Sequence, residues 1–493
     1  DGVVVSDWGG AHDTDQAVRN GLDMEFGSWT NGLSWGASNA YESYYLARPY
    51  LKAIQEGKYT TRELDEKVRR VLRLFYRTTM NRHRPYGFFC SEEHYLTAKQ
   101  IAEEGIVLLQ NKNRILPLNT QKVRRVLVVG ENAIKMMTVG GGSSSLKVQK
   151  EISPLQGLKE RLGKDGIEVE YVRGYVGDVT GAYNGVSTGQ NLEDKRSEAE
   201  LIAEAVAKAK TVDYVVMFGG LNKSDYQDCE GHDRQQYELP YAQNKLVTAL
   251  AAANKNFVYV NISGNAVAMP WKDKVPAIVQ GWYLGSEAGD ALASVLTGDA
   301  NPSGKLPFTW VKSLQNVGAH ALNTYPGTWR KEGGSKTEGN IIDEEYKEGI
   351  YVGYRWADRK KQGPVFAFGH GLSYTQFAIS NLRADKASMT AADSITFTVQ
   401  VKNIGQRAGS ETVQLYVHDA KASVDRPLKE LKGFCKVSLK PGESKDVSIT
   451  LGKDALSFYD ETTASWKAEP GLFEAWVGNA SDNLKLKKAF ELK

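Results

Sequence analysis

The sequence predicts a multi-domain chain in which α/β layers give way to an all-β module. Three observations carry that reading. Apolar strand runs alternate with helical stretches from 113 to 315, and strict two-residue alternation takes over after 376. At the start, the β-branched run Val3-Val4-Val5 stops abruptly at Ser6-Asp7-Trp8-Gly9-Gly10. At 493 residues the chain suits about two to four domains, each with its own core.

Residues 1–112 read as strand, short helix, strand, helix, helix. A strand ended by Asp, Trp and two glycines places a carboxylate at its C-terminal edge, where (β/α)8 barrels put their chemistry. Taken alone, Asp7 could equally cap a helix or close a turn. Trp8 favours the functional reading, because an aromatic face beside a carboxylate suits a sugar ring. Leu22-Asp23-Met24-Glu25-Phe26 is a second short strand. Thr60 and Glu63 have the spacing of a capping box, and Leu64, Val68, Val71, Leu72 and Phe75 fall on one face of the helix that follows. A full barrel needs eight strand–helix units in about 250 residues. Two strands are present, so the expectation is an incomplete (β/α)8 barrel remnant.

From 113 to 315 strands are expected at 126–129, 169–172, 214–218, 258–262 and 277–281, with helices at 153–163, 196–210 and 239–254. That order makes a layered α/β domain with a largely parallel sheet. The loop Gly140-Gly141-Gly142-Ser143-Ser144-Ser145 lacks the frames GxxxxGK[ST] and GxGxxG, so it is not a phosphate cradle. In AIVQGWYLGSEAGDAL an apolar strand ends and Ser286-Glu287 opens a helix. Such turns at the C-terminal edge of a sheet form ligand crevices. The bland reading is that Glu287 favours the helix dipole. A dipole lowers a carboxyl pKa, whereas an acid catalyst needs it raised. A second acidic stretch, SDYQDCEGHDR, follows the strand YVVMFGG and carries Glu230, Asp233 and Arg234. Asp233 and Arg234 could as well hold that loop as an ion pair.

Residues 316–375 show little periodicity and read as a connecting segment, with His370 in a glycine turn. From 376 to 493, Ile395, Phe397, Val399 and Val401 alternate with polar residues, as do Val413, Leu415 and Val417, then Val447, Ile449 and Leu451. A β-sandwich follows. Its alternation shows no extended aromatic surface, which favours a scaffold over a carbohydrate-binding module.

Charge is nearly balanced, with 62 basic and 59 acidic residues, and gives no electrostatic reason to expect nucleic acid or a membrane as partner. No apolar run is long enough to span a bilayer. Cys90, Cys229 and Cys435 have neither disulfide-framework nor zinc spacing, so no metal is expected. Ten Trp and 24 Tyr suit a carbohydrate-binding protein, although large β-rich proteins share the trait.

Several stretches together resemble one family. GVVVSDWGGAHDT is similar to the nucleophile segment of glycoside hydrolase family 3, the β-glucosidase family, in which SDW follows barrel strand seven. GLDMEF resembles its strand-eight segment. AEEGIVLLQN followed by LPL resembles its entry into an α/β sandwich domain. GSE followed by NPSGKLP, the EGHDR loop, EEYKEGIYVGYRW and FAFGHGLSYTQF resemble later segments in the same order. The final module resembles the family's fibronectin type III-like domain.

The resemblance implies a division into a barrel end and linker (1–112), an α/β sandwich domain (113–315), a connector (316–375) and a fibronectin type III-like domain (376–493). It implies a retaining, exo-acting β-glucosidase with Asp7 as nucleophile and Glu287, preferred over Glu230, as acid/base. Retention needs two carboxyl groups about 5–5.5 Å apart and no cofactor. Substrate contacts would come from Trp8, Ser143, Ser144, Glu230, Asp233 and Arg234. The implied substrate is a β-glucoside or β-gluco-oligosaccharide. Six barrel strands, with the Lys, His, Arg and Asp that clasp the sugar, would belong to a preceding segment or a second chain. A homodimer is a further expectation, and a periplasmic or secreted address is favoured over a cytoplasmic one. A β-xylosidase or other exo-β-glycosidase, or a non-catalytic scaffold or sugar-binding fragment, are the alternatives.

Overall fold

The structure is a computed structural model that describes residues 2–26, 44–138, 141–143, 146–177, 182–183, 186–329 and 342–493. It forms two compact units, Asp1–Phe89 and Cys90–Lys493.

In the first unit the two expected strands are extended segments joined by one parallel bridge, Val5 to Met24. The Ser6 N–H donates to the Met24 carbonyl at 2.9 Å. The Asp23 carboxylate accepts the Val4 N–H at 2.9 Å and pairs with Arg70 at 2.7 Å, tying both segments to a helix. Helix α1 (Thr14–Arg19) lies between them in sequence, with the Asp13 side chain accepting from the Gln16 N–H. Helices α2 (Arg48–Gln55) and α3 (Thr61–Arg77) follow. Thr60 Oγ1 accepts from the Arg62 N–H and donates to Glu63, so the expected cap forms in altered arrangement. Val18, Tyr50, Ala53 and Tyr59 make a small core, and buried Lys67 donates to the carbonyl of Leu22. Leu64, Val68, Leu72 and Phe75 on α3 are 37–46% exposed. A barrel sheet is not among the described residues.

The second unit begins with α4 (Glu92–Gly105) and a six-stranded sheet. Its strands are β1 (Val107–Asn111), β2 (Arg125–Val129), β3 (Glu168–Val172), β4 (Tyr214–Gly220), β5 (Phe257–Ile262) and β6 (Ala277–Gln280), in the order β1-β6-β5-β4-β2-β3. All pairings are parallel except β1 with β6. The five expected strands match β2 to β6, and the three expected helices match α5 (Pro154–Gly163), α6 (Glu198–Ala209) and α7 (Gln243–Ala253). Strand β1 was not expected. It is a short apolar run behind a helix, and periodicity alone does not tell a buried strand from a helix end.

Alternate residues of each strand feed two cores. Val126, Val128, Val216 and Phe218 pack with Leu158 of α5 and with Leu292 and Val295 of α8 (Ala288–Thr297). Leu127, Val129, Val215 and Met217 pack with Ala205 of α6 and Leu246 and Leu250 of α7. A parallel sheet covered on both faces reads as near-continuous apolar runs, which is why its strands were legible.

The β-sandwich pairs β7 (Phe377–Ala384), β8 (Ser394–Asn403) and β11 (Ser444–Gly452) against a sheet containing β9 (Gly409–Asp419), β10 (Glu430–Leu439), β12 (Gly471–Gly478) and β13 (Leu486–Leu492). The alternating residues of β8, β9 and β11 form its core. His370 is structural: its Nε2 donates to the Leu109 carbonyl at 2.8 Å, its ring stacks on Phe366, and burial lowers its pKa. Among the described residues no helix is long and apolar enough to cross a membrane.

Candidate active site

Strand order locates the site. From β2 the chain crosses to β3 on one side, then returns to place β4 on the other. At such a reversal the loops leaving neighbouring strands part, and a crevice opens beyond their carboxyl ends. Here a crevice of about 500 Å³ is lined by Gly141 and Ser143 from the loop after β2, Lys223 to Arg234 from the loop after β4, Gly264 and Asn265 after β5, and Tyr283 after β6.

Both principal loops are braced. After β2, buried Glu131 pairs with Arg173 at 2.7 Å and accepts the Gly177 N–H. Further along, the Glu151 carboxylate accepts the backbone N–H groups of Met137 and Thr138. After β4, Asp228 accepts the Gly264 N–H at 2.7 Å and the Tyr283 hydroxyl at 2.9 Å, and the Glu230 N–H donates to the Gly141 carbonyl at 2.8 Å. The two loops therefore hold each other.

Of the residues expected to touch substrate, Ser143, Glu230, Asp233 and Arg234 meet in this crevice. The exposed Glu230 carboxylate accepts the Ser143 N–H, and this bond, with the Ser143 hydroxyl, lowers its pKa. Gly142, at φ +114°, makes that approach possible, because a Cβ there would lie 2.3 Å from Glu230 Oε2. The Tyr325 hydroxyl donates to Asp233, which raises the phenol pKa to about 12. Asp233 and Arg234 do not form the ion pair considered from the sequence: Arg234 Nη2 donates to the Ala266 carbonyl at 2.8 Å. Burial lowers the pKa of Arg234 and, nearby, that of Lys223. Ser144 lies outside the described residues.

Glu287 is placed differently. It is the N-cap residue of α8 without a side-chain capping bond, and its carboxylate is 4% exposed and paired with Lys150 at 2.9 Å. It is not among the residues lining the crevice. In the first unit, Asp7 is exposed and its carboxylate accepts the Trp8 N–H at 2.8 Å. Trp8 is 68% exposed and lies against Phe26, ring centroids 5.7 Å apart.

Sequence reasoning did not single out Lys223, Asp228 or Tyr283. Asp228 stood inside the acidic stretch already marked. Tyr283 ends the strand leading to Glu287, and its aromatic run resembled core.

Residues 106–354 match the Glycosyl hydrolase family 3 C-terminal domain, and 411–481 match the Fibronectin type III-like domain. The chain is 47% identical, over its full length, to the β-glucosidase BoGH3A of Bacteroides ovatus, and covers 64% of that protein. It is 36% identical over 99% of its length to thermostable β-glucosidase B of Acetivibrio thermocellus, covering 58% of it. Among solved structures, a GH3 β-glucosidase of Bifidobacterium adolescentis superposes over the whole chain with a TM-score of 0.82 at 31% identity, the chain covering 65% of it. The chain thus spans less than two thirds of the length of these relatives.

Proposed function

The chain belongs to glycoside hydrolase family 3, and on that premise we propose that it forms part of a retaining, exo-acting β-glucosidase that removes terminal β-D-glucosyl residues. The observation carrying this reading is likeness along the entire chain to proteins named β-glucosidase, joined to an exposed Asp7-Trp8 pair. In this reading Asp7 attacks the anomeric carbon, and the leaving oxygen takes a proton from a carboxylic acid. Water then hydrolyses the glycosyl ester with that residue as base.

For the acid we favour Glu230 over Glu287. A proton donor must reach the glycosidic oxygen, within hydrogen-bonding distance or through one water. The Glu230 carboxylate stands in an open polar crevice, whereas that of Glu287 is enclosed and ion-paired. The Ser143 N–H opposes the role by lowering the Glu230 pKa. Bound sugar must counteract it by desolvating the carboxyl.

We also propose that the segments around Val5 and Met24 are two strands of a (β/α)8 barrel completed by further polypeptide. Exposed Val4 and Val5 and the apolar stripe of α3 support this, because parallel strands are found covered on both faces. Residues 113–315, 316–375 and 376–493 then form the α/β domain, connector and fibronectin type III-like domain.

The test is a mechanism-based fluoroglucoside inactivator applied to the complete enzyme. It should label the peptide containing Asp7 and no other. A label on another carboxylate would remove Asp7 as nucleophile.

A further inference from the structure

Cysteine spacing gave no reason to expect a metal, but it counts only cysteines. In the loop after β4 the fold gathers three different donors. One ligand atom each from Asp225, Cys229 and His232 can be chosen so that all lie within 4.8 Å of one another. We propose that these three side chains form a binding site for a borderline divalent cation of the zinc class, with its fourth position open to solvent. The proposal stands independently of the glycosidase reading.

The donor set selects the ion. Thiolate and imidazole suit zinc and its neighbours, whereas calcium and magnesium prefer oxygen alone. At zinc bond lengths a tetrahedral site keeps neighbouring ligand atoms about 3.4–3.6 Å apart. His232 Nδ1 and Asp225 Oδ1 already stand at 3.3 Å, so an ion needs mainly the thiol to close in.

The loop is shaped to hold this arrangement. Cys229 Sγ lies 3.6 Å from the His232 carbonyl, so the chain between them doubles back. Tyr226 adopts φ +61°, uncommon for an aromatic residue, and its ring stacks on His232 at 5.0 Å and 23°. That stack fixes the plane of the imidazole, a role second-shell partners play at metal sites. Asp228, anchored by Gly264 and Tyr283, and Gln227, which donates to the Tyr241 hydroxyl at 2.7 Å, pin the chain between the ligands. All three ligands are at least partly exposed, so an ion has an entry path. Binding releases the thiol proton to solvent, so affinity must fall as pH is lowered.

The experiment is titration of the full chain with Cd²⁺, following the ultraviolet thiolate-to-cadmium charge-transfer band. Cys90 and Cys435 remain as internal controls. A saturable band of one ion per chain is expected, absent in Cys229→Ser. Asp225→Ala and His232→Ala each remove a direct ligand and should weaken binding by at least the roughly 100-fold that loss of a supporting partner costs. Zn²⁺ should displace Cd²⁺ and raise the thermal midpoint of the wild-type chain but not of Cys229→Ser. Equal midpoints without metal would establish that the variants fold. A band that survives Cys229→Ser, or binding indifferent to both Asp225→Ala and His232→Ala, overturns the site.

Discussion

Lys150 and Glu287 form an ion pair of 2.9 Å in which the carboxylate is 4% exposed and the ammonium 41%. The same Lys150 ammonium lies 4.0 Å from the centroid of the Tyr95 ring. This carboxylate thus sits enclosed and ion-paired at the N-cap of α8. Its partner, hydrogen-bonded to it, has a pKa raised above the ordinary lysine value.

Replacing each acid separates their roles. Glu287→Gln should lower stability by about 1 kcal/mol or less, because the ammonium left behind is well exposed and water screens the lost pairing, measured by denaturant unfolding, with little change in the choice between leaving groups. Glu230→Gln should slow cellobiose hydrolysis by about 10²–10⁴-fold yet spare a dinitrophenyl glucoside, whose leaving group departs without a proton. Reversal of the two patterns would restore Glu287 as the acid.

A pH profile reads the Ser143 contact. The Ser143 N–H, then its hydroxyl, holds the Glu230 carboxyl below its usual range, and a general acid works only while protonated. Ser143→Ala removes the hydroxyl contribution, so the Glu230 pKa should rise and the alkaline limb of kcat/KM should move to higher pH. The linked stability has a definite sign. A depressed carboxyl pKa stabilises the fold above its unfolded value, and that stability is lost as pH falls through the folded value. Ser143→Ala should therefore weaken the pH dependence of unfolding on the acid side. An unmoved alkaline limb would show that Glu230 is not the titrating acid.

Gly142→Ala tests the crevice without touching a charge. The new Cβ meets the Glu230 side chain at 2.3 Å, at a backbone φ of +114° that disfavours alanine. Activity should fall as Glu230 is displaced, while the sheet, whose strands end before this loop, keeps its circular dichroism. Full activity in Gly142→Ala would mean that the Glu230 position is immaterial to turnover.

In the first unit, Asp23 is the junction between the Val4 backbone and Arg70. Asp23→Ala should leave both unpartnered and loosen the 3–8 segment by about 1–3 kcal/mol. Hydrogen exchange at the Ser6 and Met24 amides, which donate to Met24 and Val4 carbonyls, should accelerate accordingly. Unchanged exchange there would show that the bridge does not depend on Asp23.

How much of this was legible varies with the kind of interaction. Strands β2 and β4 to β6 announce themselves because they are buried on both faces, and Ile395 to Val401 because one face only is buried. Both patterns are one-dimensional and survive in a sequence. Ser143, Glu230, Asp233 and Arg234 were reached through a family likeness, and the strand reversal between β2 and β4 brings them together. What sequence could not weigh was enclosure. Glu287 and Glu230 both follow strand ends, and only packing shows that Lys150 closes over one while the other stays in an open crevice. The Asp225, Cys229 and His232 grouping was likewise hidden, because the turn that joins them depends on the left-handed conformation of Tyr226.

Two glycines mark where the sheet stops and the crevice begins. Gly130, at φ +112°, leaves no room for a Cβ against the Phe218 carbonyl, and Gly220, at φ +114°, none against that of Ile262. Lineages diverging from this chain are thus barred from changing either position, and in the loops beyond the same bar holds at Gly142. Exposed positions of these loops, such as Leu146 and Lys147, can change without disturbing strand register. The architecture thereby separates heredity of the scaffold from diversification of the crevice, and changes in what the crevice accepts should trace to the loops after β2 and β4 before any strand.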